Sequence, residues 1–369
     1  MANYKGDLIK QSEKYDIISA QHGGYYRHKF IDHAYLYNLH FPPEEMFTHL
    51  KAQIHNLVLN YPVGQDELAI LVGDVINQQA ERIVVGNGAA ELIKIVSGHV
   101  AQKLIVPVPS FNEYVNAAPE DHVIEFPLDF PSFDLDVKKF ADEAIKQNAD
   151  VAVVVTPNNP TSMLVPKADL IWLAEKLEPH NCILIIDESF LDFAEDPEGT
   201  TLENELDNYP NMVIFKSMSK AYGICGLRIG YMLSANKAFN DKVRAGIHIW
   251  NINGFAEEFL RILPKYLPAF KESCKQVRTD RDILYEKLCE LDGLVVYKPD
   301  ANYIFCRLPK AAQSASNVKK RLFMEYNIYI KDCAGKSQPD ADRYIRIASR
   351  TKFENSRLVD ALKSVISHK

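Results

Sequence analysis

Short, uniformly apolar runs alternate with amphipathic stretches from about residue 60 to about residue 234 of this 369-residue chain. The runs are rich in β-branched residues and too short for helices; the clearest are Ile83–Val85, Leu104–Val106, Val151–Thr156, Ile183–Ile186 and Met212–Phe215. Strands without polar alternation are covered on both faces, as in a parallel sheet with helices on each side. The pattern therefore predicts a large, doubly wound, mostly parallel α/β domain whose ligand lies at the carboxyl ends of the strands.

The pattern changes after residue 234. A long polar–apolar stretch from about Ala256 to Leu291 indicates helix. Further strands and helices are then predicted at Leu294–Tyr297, Tyr303–Arg307, Ala315–Tyr326 and Glu354–Ser367. We therefore expect an irregular, aromatic-rich N-terminal segment (residues 1–44) over the cleft or on a partner, a large domain (45–255) and a smaller C-terminal α+β domain (256–369).

Charge and composition argue against several classes of function. The chain has 42 basic and 49 acidic residues spread along its length, so we expect no nucleic-acid partner. The N-terminal residues lack the apolar core of a signal peptide, and no apolar run approaches membrane-spanning length, which predicts a soluble cytoplasmic protein without a membrane partner. Six scattered cysteines form no C-x-x-C pair, so no metal site is expected.

The first of the predicted strands is followed by Gly86-Asn87-Gly88-Ala89-Ala90-Glu91 and then by a helical run. Small residues at the start of a helix expose backbone N–H groups that suit a phosphate. A plain tight turn is the alternative. The chain contains no G-x-x-x-x-G-K-[ST] motif, so an NTP-binding loop is not supported.

Three more strand ends carry polar side chains. Asn159, in Pro157-Asn158-Asn159-Pro160-Thr161, can offer a donor to a ligand or serve a turn alone. Asp187 follows four apolar residues, and a carboxylate at the end of a buried strand is costly to desolvate unless it pairs with a cation. The alternative is that Asp187 is only a helix N-cap. Lys220 has hydroxyls upstream and Arg228 downstream, and a lysine in such a cleft can act as a Schiff-base amine rather than as a surface lysine.

In this order the motifs GNGAAE, TPNNPT, DES, SMSKAYGICGLRIGY and RYIRIASR resemble those of fold-type I pyridoxal-phosphate enzymes, the class I/II aminotransferase family. The resemblance covers nearly the whole chain and is strongest to the branch of histidinol-phosphate aminotransferase and threonine-phosphate decarboxylase. It implies the PLP-transferase fold type I and pyridoxal 5'-phosphate as cofactor, in a Schiff base with Lys220. Asp187 would then pair with the protonated pyridine nitrogen, and Asn159 would donate to the phenolic oxygen.

The resemblance also implies the other binding residues. The cofactor phosphate would be held by Ala89, Ala90, Ser217, Ser219 and Arg228. Phe111 would stack on the cofactor ring, with Tyr114 as the alternative. Tyr61 resembles the tyrosine that reaches the cofactor of the neighbouring subunit, which implies a homodimer with shared active sites. Arg346 would grip the substrate carboxylate and Asn38 would face the substrate.

Two departures from the family pattern bear on the reaction. Phe190 stands where the family's aminotransferases usually have tyrosine, and Gln21-His22-Gly23-Gly24 resembles a segment of the decarboxylase that approaches the substrate phosphate. For His22 a flexible-arm residue is the alternative. The segment Tyr35-Leu36-Tyr37-Asn38-Leu39-His40 is more aromatic than in either relative. Arg27 and Arg350 are positional candidates for an anion on the substrate.

The expected function is an aminotransferase that uses a small-molecule amino donor and a keto acid. Its donor is an amino acid or small amine, and whether it carries a phosphate or phosphonate stays open. The alternative is a decarboxylase of a phosphorylated amino acid, because the same residues serve both reactions and only the Cα bond perpendicular to the cofactor ring breaks. A non-catalytic effector-binding module is a third hypothesis, but it predicts a DNA-binding segment that the chain has no room for.

Overall fold

The computed structural model describes residues 10–21 and 23–367. The strands are β1 (Ile31–His33), β2 (Ile83–Asn87), β3 (Leu104–Val108), β4 (Val123–Pro127), β5 (Val151–Val155), β6 (Ile183–Asp187), β7 (Met212–Ser217), β8 (Ile229–Leu233), β9 (Val295–Val296), β10 (Tyr303–Arg307), β11 (Ile328–Asp332) and β12 (Tyr344–Ala348). The helices are α1 (Gln11–Ala20), α2 (Glu44–Leu59), α3 (Gln65–Ile76), α4 (Ala89–Ile95), α5 (Glu113–Asn116), α6 (Val137–Lys146), α7 (Lys167–Leu177), α8 (Pro197–Thr200), α9 (Met218–Ala221), α10 (Lys237–Ala245), α11 (Gly254–Ile262), α12 (Leu267–Cys289), α13 (Ala315–Tyr326) and α14 (Lys352–Ser367).

A seven-stranded sheet with the order β2-β8-β7-β6-β5-β3-β4 forms the centre of the large domain. β8 runs antiparallel to both of its neighbours, and the remaining pairs are parallel. The five strands predicted from the apolar runs are all present in this sheet. The predicted doubly wound, mostly parallel sheet is therefore confirmed.

Successive side chains of the central strands enter two different cores. Val151, Val153 and Val155 of β5 pack in one core, whereas Ala152 and Val154 pack in the other. Because alternate residues of a strand point to opposite faces of the sheet, each strand needs apolar residues at every position. This explains why the central strands are uniformly apolar in the sequence.

A five-stranded sheet with the order β1-β11-β12-β10-β9 forms the smaller domain. β1 pairs in parallel with β11, and the other pairs are antiparallel. The N-terminal segment therefore contributes an edge strand to the small domain, in addition to helix α1, and is less irregular than the sequence suggested. Its three-residue strand is too short to give a periodic signal.

The division between the cores falls inside α12, not after residue 255. Ala256 and Phe259 of α11, and Phe270 and Val277 in the first half of α12, pack in a core of the large domain. Leu284, near the end of α12, belongs instead to the core of the small domain. The helical stretch predicted from Ala256 to Leu291 is also interrupted by a short 3₁₀ segment that contains a proline.

No helix within residues 10–21 and 23–367 is both long enough and apolar enough to cross a membrane. The same residues contain no group of three or more histidine, cysteine or acidic side chains that could hold a metal ion.

Candidate active site

Lys220 lies in α9, directly after β7, at the carboxyl edge of the large sheet. Burial lowers the pKa of its ammonium below the usual range for lysine. The charges of Arg346 and Arg228 also lower the pKa of Lys220, whereas Cys225 and Asp187 act in the opposite direction. A buried lysine with a lowered pKa has more of its amine in the neutral form that attacks a carbonyl.

Asp187 is the last residue of β6 and is almost fully buried. Its Oδ2 accepts a hydrogen bond of 2.9 Å from the Tyr114 hydroxyl, and its Oδ1 accepts one of 3.0 Å from the Ser189 backbone N–H. Burial raises the pKa of Asp187, while these two donors and Lys220 lower it. A desolvated carboxylate of this kind is stabilised by a cation, and a protonated pyridine nitrogen would supply one.

Tyr114 has a role that the sequence did not reveal. It was considered only as an alternative for stacking on the cofactor ring, but its buried hydroxyl donates to Asp187. Phe111 lies one helical turn earlier and packs edge-on against Tyr114, with ring centroids 6.5 Å apart. Phe111 therefore remains the candidate for stacking on the cofactor ring, and the Tyr114 hydroxyl supports the Asp187 carboxylate.

A close contact between two turns forms the candidate phosphate site. Gly88 immediately precedes α4, and its N–H donates to the carbonyl of Arg228 at 3.0 Å. Gly88 has φ +69°, and a Cβ built on it would lie 2.3 Å from Arg228 Nη2. Arg228 Nη1 also donates to Ser219 Oγ at 3.3 Å. A guanidinium and a hydroxyl thus face the small residues that open α4, which fits a bound phosphate.

The other residues predicted for this site lie close by in the fold. Ala89 and Ala90 form the first turn of α4, and Ser217 ends β7. The Ser217 backbone N–H donates to Ser189 Oγ at 2.9 Å, which joins the lysine strand to the loop after Asp187. Their contacts with the cofactor stay predictions.

Arg346 and Asn159 are in direct contact. Arg346 Nη1 donates to Asn159 Oδ1 at 2.7 Å, and Nη2 donates to the carbonyl of Ala34 at 2.6 Å. The guanidinium carbon lies 5.5 Å from the centroid of the Tyr303 ring. Arg346 Nε is buried and has no hydrogen-bond partner among the described residues. The hydrogen-bond acceptors of Arg346 are thus uncharged, and the nearby Asp32 carboxylate interacts with it only electrostatically, so the guanidinium can still bind an anionic ligand.

Phe190 and Tyr303 form an aromatic pair next to Arg346. Their ring centroids are 5.0 Å apart and the rings are nearly perpendicular. The Tyr303 hydroxyl donates to the carbonyl of Asn158 at 2.8 Å. Phe190 offers no hydroxyl, and the donation from the Asn159 amide to the cofactor's phenolic oxygen stays a prediction.

Asn38 lies beside Lys220 but its amide is already engaged within the protein. Asn38 Nδ2 donates to the carbonyl of Ala221 at 2.9 Å and to Ser273 Oγ at 2.8 Å, and Oδ1 accepts from the His40 N–H. Its backbone N–H donates to the carbonyl of Lys220 at 2.9 Å. Asn38 therefore fixes the N-terminal segment against the lysine helix, and no contact here supports its expected role toward the substrate.

Two other residues are candidates for substrate binding from the sequence. His22 lies outside the described residues. Arg350 forms two hydrogen bonds with the carboxylate of Glu354, at 3.1 and 3.2 Å, so its charge is already paired.

Tyr61 lies exposed on the surface. Its side chain is 78% exposed, and its ring stacks on Trp250 with centroids 4.2 Å apart. Exposed apolar side chains occur on the neighbouring α2 and beside Trp250, namely Ile54, Val58, Leu59 and Ile249. We call this set, with Tyr61 and Trp250, the α2 surface. An apolar surface of this kind suits a protein interface.

Known proteins that resemble this chain identify its family. A profile of the family described as "Aminotransferase class I and II" matches residues 50–362. The CMP-5'-(3-aminopropyl)phosphonate synthase of Streptomyces rubellomurinus is 41% identical over 354 residues, which cover 96% of this chain but 56% of that protein. The chain thus spans little more than half the length of this relative.

Two further comparisons concern proteins of similar length. The L-serine phosphate decarboxylase of Sulfurospirillum multivorans is 33% identical over 322 residues, which cover 84% of this chain and 80% of that protein. The crystal structure of histidinol-phosphate aminotransferase from Clostridium acetobutylicum has a TM-score of 0.82 and 28% identity, and covers 91% of this chain and 99% of that one. The expected fold and its cofactor, pyridoxal phosphate, are confirmed. The chain belongs to the class I and II aminotransferase family of pyridoxal-phosphate enzymes.

Proposed function

We propose that this chain is a decarboxylase that acts on an amino acid carrying a phosphate or phosphonate on its side chain. This choice reverses the order of the two reactions expected from the sequence. The proposal rests on the arrangement of Lys220 and Arg346, together with what the similar proteins are named for.

The similar proteins favour loss of a carboxylate. One is named a decarboxylase of L-serine phosphate. Another is named for making a 3-aminopropylphosphonate group. The amine-bearing carbon of that group has no carboxylate, as decarboxylation of an amino acid would leave it. Both names also refer to a compound with a phosphorus oxyanion, a phosphonate in one and a phosphate in the other.

The geometry of the site suits this chemistry. Arg346 has neutral protein partners and a buried Nε that can donate to a ligand, so it can hold an anion in a fixed position. When bound, pyridoxal phosphate supplies an electron sink for the pair left on Cα after a bond breaks. Lys220, with its lowered pKa, can return a proton to Cα where CO₂ has left.

Transamination is the second candidate, because the same residues can serve it. In transamination Lys220 would remove the proton from Cα and deliver it to the cofactor. The substrate would keep its carboxylate, bound by Arg346. The likeness in fold to a histidinol-phosphate aminotransferase supports this candidate. The two reactions are separated by their products.

The test uses the purified holoenzyme without any keto acid. L-Phosphoserine, L-phosphothreonine and 2-amino-4-phosphonobutyrate are supplied, the last being 3-aminopropylphosphonate with a carboxylate added at its amine-bearing carbon. We expect many turnovers of CO₂ and free amine from at least one substrate, and none with Lys220→Ala. Stoichiometric formation of the pyridoxamine cofactor with a keto acid, and no CO₂, would show an aminotransferase instead.

We also propose that the chain forms a homodimer through the α2 surface. The exposed Tyr61 and Trp250 stack supports this, because neither ring has a covering element within the described chain. In such a dimer Tyr61 would reach the cofactor phosphate of the partner subunit.

A further inference from the structure

The loop between β11 and β12 crosses from the small domain to the large one at Lys336. Lys336 Nζ donates to Asn112 Oδ1 at 2.7 Å and to the carbonyl of Ser110. The loop is folded back by the Lys336 N–H, which donates to the carbonyl of Cys333 at 3.0 Å. Lys336 therefore reaches the residues on either side of Phe111, the candidate for stacking on the cofactor.

A short path of hydrogen bonds and neighbouring residues joins this point to Arg346. Ser110 Oγ donates to Asn158 Oδ1 at 2.8 Å. The next residue, Asn159, accepts from Arg346 Nη1. Lys336 thus binds the loop after β3 and Arg346 binds the loop after β5, and Ser110 and Asn158 hold these two loops together.

Lys336 is a partly buried cation without an ion-pair partner among the described residues. Both of its hydrogen-bond acceptors are uncharged, and no carboxylate forms an ion pair with it in residues 10–21 or 23–367. Burial lowers the pKa of Lys336 to about 8, and the charges of Arg346 and Lys331 contribute in the same direction, against Cys333. Arg346 is likewise surrounded by uncharged acceptors. Both cations are partly buried and neither forms an ion pair within the described residues, so a ligand anion between them would stabilise both.

We infer that Lys336 binds the phosphate or phosphonate of the substrate, while Arg346 binds its carboxylate. This deepens the proposed function, on which it rests, by assigning the second anionic group of the substrate to a residue of the β11–β12 loop. The ammonium exchanges its two neutral acceptors for phosphoryl oxygens, which form stronger, charge-assisted hydrogen bonds. A substrate that lacks the side-chain anion leaves this charge unpaired.

The test measures binding of product-like amines to the holoenzyme, from the change in cofactor absorbance. 3-Aminopropylphosphonate is compared with propylamine, and phosphoethanolamine with ethanolamine, so that the phosphonate and phosphate forms are distinguished. We expect Lys336→Met to weaken binding of the anionic amine by at least about tenfold and to leave the plain amine unchanged. Lys336→Arg should retain most of the preference for the anion.

Asn112→Ala is the matched control, because it removes a protein partner of Lys336 but not the ammonium. It should keep the preference for the anionic amine. If Lys336→Met weakened the binding of both amines equally, or if Asn112→Ala weakened binding of the anionic amine as much, Lys336 would be only a contact between loops. If Lys336→Met left the affinity for the anionic amine unchanged, the assignment would be refuted. Since binding needs no turnover, an enzyme that proves to transaminate would refute the decarboxylase proposal and leave this measurement intact.

Discussion

His33 is predicted to make the folded protein sensitive to mild acid. It lies in β1 and is fully buried. Its Nδ1–H donates to the carbonyl of Ala348 at 2.8 Å, and its Nε2 has no hydrogen-bond partner among the described residues. Burial lowers the pKa of His33 to about 4, and the nearby Arg350 contributes in the same direction.

Whether stability rises or falls with pH depends on how many protons the folded and unfolded states bind. The unfolded chain binds a proton at His33 below its ordinary pKa of about 6.5, but the folded protein resists it until about 4. The stability due to a neutral His33 is therefore complete above pH 6.5 and is lost as the pH falls from about 6.5 to about 4. The gap between the two values corresponds to at most about 3.4 kcal/mol, and to about 2 kcal/mol by pH 5.

His33→Asn is the informative variant, because the asparagine amide can take the place of Nδ1 and does not titrate. We would measure the free energy of unfolding in urea at about pH 7.5 and pH 5 for both proteins, at one protein concentration. The wild type should lose about 2 kcal/mol more than His33→Asn between these values. Buried carboxylates that titrate in the same range act in both proteins and cancel. Equal losses in the two proteins would refute the argument.

Three further predictions concern the cofactor site. Tyr114→Phe removes a donor from the buried Asp187 carboxylate, at a cost of about 1.5–3 kcal/mol, so cofactor affinity measured by dialysis should fall by about one to two orders of magnitude; unchanged affinity would mean that the hydroxyl does not support the carboxylate. Gly88→Ala places a Cβ against a guanidinium at a positive φ, so cofactor binding should weaken with an unaltered circular dichroism spectrum, and wild-type affinity would count against the phosphate site. Tyr61→Ala and Lys220→Ala subunits, each nearly inactive alone, should recover up to about a quarter of wild-type activity when mixed, since half of the dimers would carry one intact site; no recovery would exclude shared sites.

The central sheet could be predicted because its strands are buried on both faces. β5 and β7 are apolar throughout, so they stand out against the amphipathic helices around them. β8 was missed, although it lies in the middle of the sheet, because its second residue is Gly230 and strand propensity there is low. Its antiparallel direction depends on contacts with β2 and β7 that no local pattern encodes.

The site could be predicted only as a set of strand-end residues. Lys220, Asp187 and Asn159 follow apolar runs, and the carboxyl ends of parallel strands meet at one edge. The partners of these residues come from distant parts of the chain, such as Ala34 beside Arg346 and Tyr114 beside Asp187. No spacing in the sequence links those pairs, so only the folded structure reveals them.

The segment between β1 and α2 mechanically couples the two domains. It begins in the small sheet, binds Arg346 through the carbonyl of Ala34, and then binds the carbonyl of Lys220 through Asn38. At its far end the carbonyl of Phe41 lies so close to Gly223 that a Cβ there would be 2.2 Å away. One stretch of backbone therefore contacts both Arg346 and Lys220, so the spacing of these two side chains depends on a segment that belongs to neither of their strands. We expect a change in the length of this segment to alter both positions together.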